Sequence, residues 1–240
     1  MQKAKTPRIN LAIPRNMSIQ ENLNQIKRTF KKEDCLLVAV SKTQPITAIQ
    51  EAYDAGIRDF GENKVQELAE KAPQLPTDIR WHMIGHLQRN KVKYIASFIH
   101  LIHGVDSLNL LTQIDKEAKK TKRVITCLLQ VHIATEETKF GLDPAELKAI
   151  LLGPELPNLS NIRIAGLMGM ATFTDDEKTI RSEFAGLRAL RDSFQSENLP
   201  ANVSLEELSM GMSGDYMIAQ EEGSTLVRIG SAIFGERKYT

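Results

Sequence analysis

A lysine at the end of a short apolar run is the first residue of this sequence that could do chemistry. Lys42 follows the run from Leu36 to Val40, and regular alternation places Val38 and Val40 on the same face as the lysine. An ammonium group held against apolar neighbours loses solvation, which lowers its pKa and makes the free amine available to form an imine with an aldehyde. A solvated lysine at a strand end is the alternative, and Lys42 alone does not decide between them.

Two glycine-rich segments near the end of the chain indicate a phosphate site. They read "LSMGMSGD" over 208–215 and "GSTLVRIGSAIFG" over 223–235. Glycine turns that open onto a helix expose backbone N–H groups, which bind phosphate well. The candidate phosphate ligands are Ser209, Gly211, Gly230 and Ser231. Ordinary turn glycines would give a similar pattern, so this alternative stays open.

Arg228 lies inside the last apolar run, in phase with Leu226 and Gly230. A buried guanidinium needs a partner, and either a ligand atom or a carboxylate of the chain would serve. Glu62 and Asn63 follow an earlier apolar run and are expected at its end.

The histidines give no pattern typical of a metal site. His82 and His86 are four residues apart, but the segment lacks the glutamate of the H-E-x-x-H motif, so we expect no zinc there. The remaining histidines are expected to be hydrogen-bonded residues of strands or strand ends. They are His100, His103 and His132.

Composition favours a small-molecule partner. The 240 residues carry 31 Lys and Arg against 30 Asp and Glu, so the chain has no basic excess that would favour nucleic acid. Two widely separated cysteines indicate a reducing compartment rather than a disulfide scaffold. No stretch approaches the roughly 18 apolar residues of a membrane span or forms a signal-peptide core, so we predict a cytoplasmic protein.

The elements that must position these residues alternate along the chain. A capping box at Ser18 and Glu21 starts an amphipathic helix, and helical patterns then alternate with short apolar runs. The runs begin at Leu36, Ile57, Ile79, Phe98, Val124, Ile162, Ser204 and Thr225. This order predicts an α/β fold, a single-domain (β/α)8 barrel over 16–240 with an extra N-terminal helix, after a flexible terminus over 1–15. Function in such a barrel collects where the strands end, as Lys42 and both glycine-rich segments do.

Seven motifs in order give the chain a family resemblance. They read "AVSKT", "GENKVQE", "WHMIGHLQRNK", "TKFG", "GLMGM", "LSMGMSGD" and "GSTLVRIGSAIFG". Over residues 16–236 the sequence resembles the YggS/PROSC-type pyridoxal phosphate homeostasis proteins. The resemblance implies a barrel like the N-terminal domain of alanine racemase, with pyridoxal 5′-phosphate (PLP) held as an internal aldimine on Lys42.

The resemblance also implies site residues. It assigns the phosphate to Ser209, Gly230 and Ser231, places Arg228 against the pyridine nitrogen, and lines the pocket with Asn63, His82 and Met210. The sequence departs from the family at Lys64, where an aromatic residue is common, and at Gly169, where Thr, Cys or Ser is frequent. Contacts from those two positions are not transferred.

The resemblance implies a carrier of PLP in vitamin B6 and amino-acid homeostasis, without catalysis and with no catalytic residue. An arginine at the ring nitrogen agrees, because it weakens the ring as an electron sink. The four tyrosines fall in predicted helices or at the terminus, and the second domain of a racemase is missing. We therefore expect a monomer that passes PLP to apo PLP-dependent enzymes. A small PLP-dependent racemase and a cofactor-free, aldolase-like lyase are the alternatives.

Overall fold

A computed structural model describes residues 17–31, 34–136 and 140–235 of the chain. Eight parallel strands close into a barrel in sequence order, with β8 paired to β1, so the predicted fold is confirmed. The strands are β1 (Leu36–Val40), β2 (Asp59–Glu62), β3 (Arg80–Met83), β4 (Leu101–Val105), β5 (Ile125–Gln130), β6 (Ile162–Met168), β7 (Val203–Ser209) and β8 (Leu226–Ile229). Each begins within three residues of a predicted apolar run.

Helices follow the strands on the outside of the barrel. They are α1 (Ile19–Thr29), α2 (Ile46–Asp54), α3 (Val65–Lys71), α4 (Leu108–Lys120), α5 (Pro144–Leu151), α6 (Glu177–Ser193), α7 (Tyr216–Glu221) and α8 (Ser231–Phe234). Between β3 and β4 the chain forms a 3-10 helix over Arg89–Tyr94. Among the helices of the described ranges, none combines the length and the apolarity needed to cross a membrane. The predicted terminus over 1–15 lies outside the described residues.

The extra N-terminal helix is present as predicted. Ser18 accepts from the Glu21 backbone N–H, and the Glu21 side chain accepts from the Ser18 backbone, which completes the capping box. Inside the helix, the Asn22 amide donates to the Ile233 carbonyl at 2.8 Å. This buried bond ties α1 to α8, the short helix at the end of the barrel.

Two apolar cores lie on either side of the sheet. The larger packs the outer face of the strands against the helices. The smaller fills the barrel interior and consists of Val38, Leu101, Leu128, Ala165, Met168 and Leu226. Because side chains alternate along a strand, Val38 and Leu226 show which residues of β1 and β8 face the barrel interior. Lys42 and Arg228 are each an even number of residues further along, so they lie on the same side of the chain as Val38 and Leu226.

Candidate functional site

Lys42 lies in a turn directly after β1, at the carboxyl-terminal rim of the barrel, as predicted. Its side chain is half-buried. Thr43 follows with φ of 64°, in the left-handed region that a β-branched residue rarely adopts. The backbone around the lysine is therefore bent away from the strand direction and must be held there by its neighbours.

Five residues, which we call the rim clamp, hold this turn. Lys71 Nζ, at the end of α3, donates to the Ser41 carbonyl at 2.8 Å, to Glu62 Oε1 at 2.8 Å and to Glu67 Oε1 at 2.6 Å. Ser41 Oγ also donates to Glu62 Oε1 at 2.7 Å, and the Thr43 backbone N–H donates to Glu67 at 2.5 Å. The residues on both sides of Lys42 are thus fixed by one ion-paired cluster.

Glu62 is a fully buried member of the rim clamp. Burial raises the pKa of its carboxyl, and the hydrogen bonds from Lys71 and Ser41 only partly oppose this. Its second oxygen, Oε2, is buried without a hydrogen-bond partner among the described residues. The sequence analysis placed Glu62 at the rim but missed Lys71. The spacing of Glu67 and Lys71, four residues apart on one helix, was the available signal.

The loops after β7 and β8 meet at the same rim. Ser213 Oγ accepts from the Gly230 backbone N–H at 3.3 Å and from the Ala232 N–H at 3.5 Å. Ser231 is exposed beside them. A Cβ on Gly230 would lie 3.2 Å from both the Cβ and the carbonyl oxygen of Val40, so this turn packs closely against the end of β1. The result is a polar turn next to the strand that carries Lys42.

Gly211 has a structural reason to be glycine. Its φ is 95°, and a Cβ there would lie 2.5 Å from the Ala219 Cβ. Gly211 is therefore explained as a turn glycine, which was the alternative to a phosphate ligand.

Ser209 was predicted to contact the phosphate and Met210 to line the pocket, and both side chains are buried below the rim. Ser209 is fully buried in the barrel interior, where its hydroxyl is bonded to Arg228 and His103. Met210 is fully buried in the outer core. Ser209 is the last residue of β7, so its side chain stays below the rim and the next one turns outward. Ser213, which the sequence analysis missed, is the serine that reaches the rim.

Arg228 is buried inside the barrel, and its two hydrogen bonds within the described chain go to neutral partners. Its Nη1 donates to Ser209 Oγ at 2.6 Å and its Nη2 donates to the Gly169 carbonyl at 3.1 Å. Burial lowers the pKa of the guanidinium to about 10, against an opposing effect of Asp215. A Cβ on Gly169 would lie 2.7 Å from Ile133 Cδ1, so a side chain at this position would require Ile133 to shift.

Beyond Ser209, the polar interior continues toward the other end of the barrel. His103 Nδ1 lies 2.8 Å from Ser209 Oγ, and His103 Nε2 lies 2.9 Å from His82 Nδ1. His82 Nε2 lies 3.0 Å from Asp59 Oδ1, and Asp59 also accepts from the Arg80 guanidinium. Burial lowers the pKa of His103 well below its usual value.

His82, which was predicted to line the ligand pocket, lies inside the barrel below the rim. The side chain is fully buried and bonded at both ring nitrogens. Asp59, His82 and His100 place three possible metal-ligand atoms within 4.8 Å of one another. Both oxygens of Asp59 already accept from Arg80, whose positive charge opposes a cation there.

Asn63 keeps its predicted place at the rim, half-buried directly after β2. A Cβ on Gly85 would lie 2.5 Å from the Asn63 carbonyl oxygen, so the ends of β2 and β3 are tightly apposed. A separate cleft of about 720 Å³ lies further out, between the 3-10 helix and the start of α4. His86, Arg89 and Asp106 line that cleft, whereas Lys42 does not.

The fold and the site together define a class: (β/α)8 barrels that present a lysine and a glycine-rich polar turn at one rim. The family described as "Alanine racemase, N-terminal domain" matches residues 16–238. The pyridoxal phosphate homeostasis protein of Aquifex aeolicus is 44% identical over 216 residues, which cover 89% of this chain and 92% of the relative. The human protein of that name is 38% identical over 238 residues, covering 94% and 85%. The chain belongs to the alanine racemase N-terminal domain family and, within it, to the pyridoxal phosphate homeostasis proteins.

Solved structures agree with this assignment. PipY of Synechococcus elongatus, solved with PLP bound, superposes with a TM-score of 0.82 at 37% identity and covers 91% of this chain and 100% of its own. Alanine racemase of Clostridium difficile superposes with a TM-score of 0.76 at 16% identity, over 92% of this chain and 57% of its own, and so shows the shared fold alone.

Proposed function

We propose that this protein binds pyridoxal 5′-phosphate and serves intracellular vitamin B6 and amino-acid homeostasis without catalysis of its own. The observation that carries the proposal is the position of Lys42, half-buried at the rim beside the Gly230 turn, with the buried Arg228 in the neighbouring strand. The relatives named as pyridoxal phosphate homeostasis proteins and the PLP complex of PipY support it.

The residues present suit each part of this cofactor. The Lys42 amine adds to the aldehyde carbon, and a C=N bond forms with loss of one water, which gives a Schiff base. Ser213 and the backbone N–H groups of Gly230 and Ser231 bind the phosphate, in place of the predicted Ser209. Arg228 donates toward the ring nitrogen, and Asn63 lines the rim.

A carrier role follows from the same groups. A ring nitrogen that accepts from an arginine stays unprotonated, which makes the ring a weak electron sink. A racemase also needs a base facing the lysine, and the tyrosine hydroxyls of Tyr53 and Tyr216 instead contact Asp78 and Thr29, outside the barrel. We further propose that the protein is a cytoplasmic monomer and passes PLP to apo PLP-dependent enzymes. The buried thiol of Cys127 forms no disulfide within the described residues, which suits a reducing compartment.

The binding test is a visible spectrum after PLP is added to the purified chain. We expect an imine-type absorption band that borohydride removes, and a PLP adduct on the Lys42 peptide after that reduction. Lys42→Ala should lose the band and the adduct, whereas Lys64→Ala, which changes an exposed lysine at the same rim, should keep both. A wild-type protein without the band, or a Lys42→Ala variant that keeps it, would contradict the proposal.

The carrier role needs a separate test. The PLP-loaded protein is incubated with single amino-acid enantiomers, and their racemisation is followed. We expect none above the rate of free PLP. Turnover that disappears in Lys42→Ala would show that the protein is a racemase.

A further inference from the structure

The barrel interior contains a continuous chain of polar side chains where such barrels usually hold branched apolar residues. It links strands β2, β3, β4, β7 and β8, and we call it the interior relay. Its members are Asp59, His82, His103, Ser209 and Arg228, each at most 4% exposed. Asp59 begins β2, at the amino-terminal end of the barrel, while Ser209 ends β7 below the rim. The chain therefore runs most of the height of the barrel.

Only one arrangement of protons satisfies every bond of the interior relay when both imidazoles are neutral. His82 must donate from Nε2 to Asp59, because a bare nitrogen there would face a carboxylate oxygen. His82 Nδ1 then accepts from His103 Nε2, and His103 Nδ1 accepts from the Ser209 hydroxyl. Ser209 in turn accepts from Arg228. All donors point the same way, from Arg228 toward Asp59.

Protonation of His82 would break this order. A doubly protonated His82 would donate to His103, which would then donate from Nδ1 to Ser209. The Ser209 hydroxyl would lose the acceptor that His103 provides, and that polar group would be left deep in the interior. The neutral, one-directional chain is therefore the arrangement that the geometry favours.

We propose that Asp59, His82, His103 and Ser209 are positioning residues that orient and polarise Arg228 for a ligand at the rim. Each bond in a one-directional chain strengthens the next, so the Asp59 charge makes Ser209 a better acceptor for the guanidinium. The carboxylate itself stays at the far end, where Arg80 also pairs with it. Arg228 is thus held without a directly hydrogen-bonded carboxylate competing with a ring nitrogen for its N–H groups.

The first test needs no cofactor, so it stands even if the proposed PLP binding fails. The ring nitrogens of ¹⁵N-histidine-labelled protein are observed by long-range ¹H–¹⁵N NMR at neutral pH, with signals assigned from His82→Gln and His103→Gln. We expect both rings to be neutral with the proton on Nε2. An Nδ1–H tautomer or an imidazolium at either residue would overturn the relay.

The second test asks whether the interior relay acts on the ligand, and it depends on the proposed function. Ring-¹⁵N-labelled PLP is bound to the wild type, to Ser209→Ala and to Ser224→Ala. Ser224 is a matched control, because it is a buried serine whose hydroxyl contacts only backbone carbonyls in the described chain. We expect the ring ¹⁵N signal to shift in Ser209→Ala alone. Equal signals in all three proteins would show that the relay is structural; if Ser209→Ala does not fold, the tautomers of the wild type decide.

Discussion

The rim clamp and the interior relay each hold a cation and a carboxylate inside the protein, but they connect the two differently. In the rim clamp, Lys71 contacts Glu62 and Glu67 directly, at 2.8 Å and 2.6 Å. In the interior relay, Arg80 pairs with Asp59 directly, whereas three side chains separate Asp59 from Arg228. Direct pairing fixes the cation and leaves it little capacity for a ligand, whereas the relay holds its cation and keeps it available as a donor. The rim clamp is therefore suited to supporting the backbone around Lys42, and the interior relay is suited to recognising a ligand.

The two carboxyls also respond oppositely to their surroundings. For Glu62 the effect of burial dominates and the pKa is raised. For Asp59 burial also raises the pKa, but the hydrogen bonds from His82 and Arg80 and the charge of Arg80 outweigh it, so the pKa falls to about 2. The contribution of Glu62 to stability therefore decreases as pH rises above its ordinary pKa, whereas that of Asp59 decreases as pH falls below its ordinary pKa.

The largest effect is expected from removing the cation of the rim clamp. Lys71→Met leaves Glu62 buried without its ion pair, which should lower the free energy of unfolding by roughly 3–5 kcal/mol. Urea denaturation of the wild type and the variant measures this. Lys31→Met is the matched control, because Lys31 is 58% exposed and its partner Glu221 keeps a second ion pair with Arg181, so this change should cost at most about 1 kcal/mol. Equal losses in the two variants would show that the clamp is no stronger than a surface ion pair.

A smaller loss is expected when the interior relay is cut at its centre. His103→Leu fills similar space but leaves the Ser209 hydroxyl and one ring nitrogen of His82 without their partner, at a cost of about 1–3 kcal/mol. The same urea experiment measures it, with the exposed His86→Leu as control. A loss as large as that of Lys71→Met would mean that the relay carries buried charge, contrary to the neutral arrangement.

The fold and the rim lysine were predictable because they depend on local order. Eight apolar runs alternating with helical patterns require a barrel, and a lysine directly after the first run must lie at its rim. The resemblance to pyridoxal phosphate homeostasis proteins added the cofactor, which neither length nor composition could identify.

The side chains below the rim were harder to predict. Ser209 was assigned to the phosphate because it lies in a glycine-rich motif, but the strand continues through it and buries it. Ser213, four residues further along the chain, lies at the rim instead. The interior relay joins residues of five strands, and its contacts depend on how the strands stagger around the barrel. The spacing of residues along the sequence does not determine how the strands are staggered, so these contacts could not be predicted from it.

Acid should lower the stability of the fold through Asp59 of the relay rather than through Glu62 of the clamp, whose raised pKa has the opposite effect. The Asp59 pKa is about 2 in the folded protein and near 3.8 when unfolded, so Asp59 stabilises the fold above pH 4 and this contribution is lost as pH falls toward 2. The shift corresponds to roughly 2 kcal/mol. Free energies of unfolding at pH 5 and pH 2.5 should therefore differ less in Asp59→Asn than in the wild type. An identical difference in both proteins would remove Asp59 as a source of acid sensitivity.

The smallest effect is expected at the turn that the clamp holds. Thr43 has φ of 64°, where a β-branched side chain is strained and asparagine is better tolerated. Thr43→Asn should raise the free energy of unfolding by about 0.5–1 kcal/mol, because the backbone N–H that donates to Glu67 is unchanged. Lys122→Asn, at φ of 55° beyond the end of α4, is the control and should gain less, since lysine is not β-branched. Thermal unfolding measures both, and a destabilised Thr43→Asn would show that the threonine side chain itself supports the turn beside Lys42.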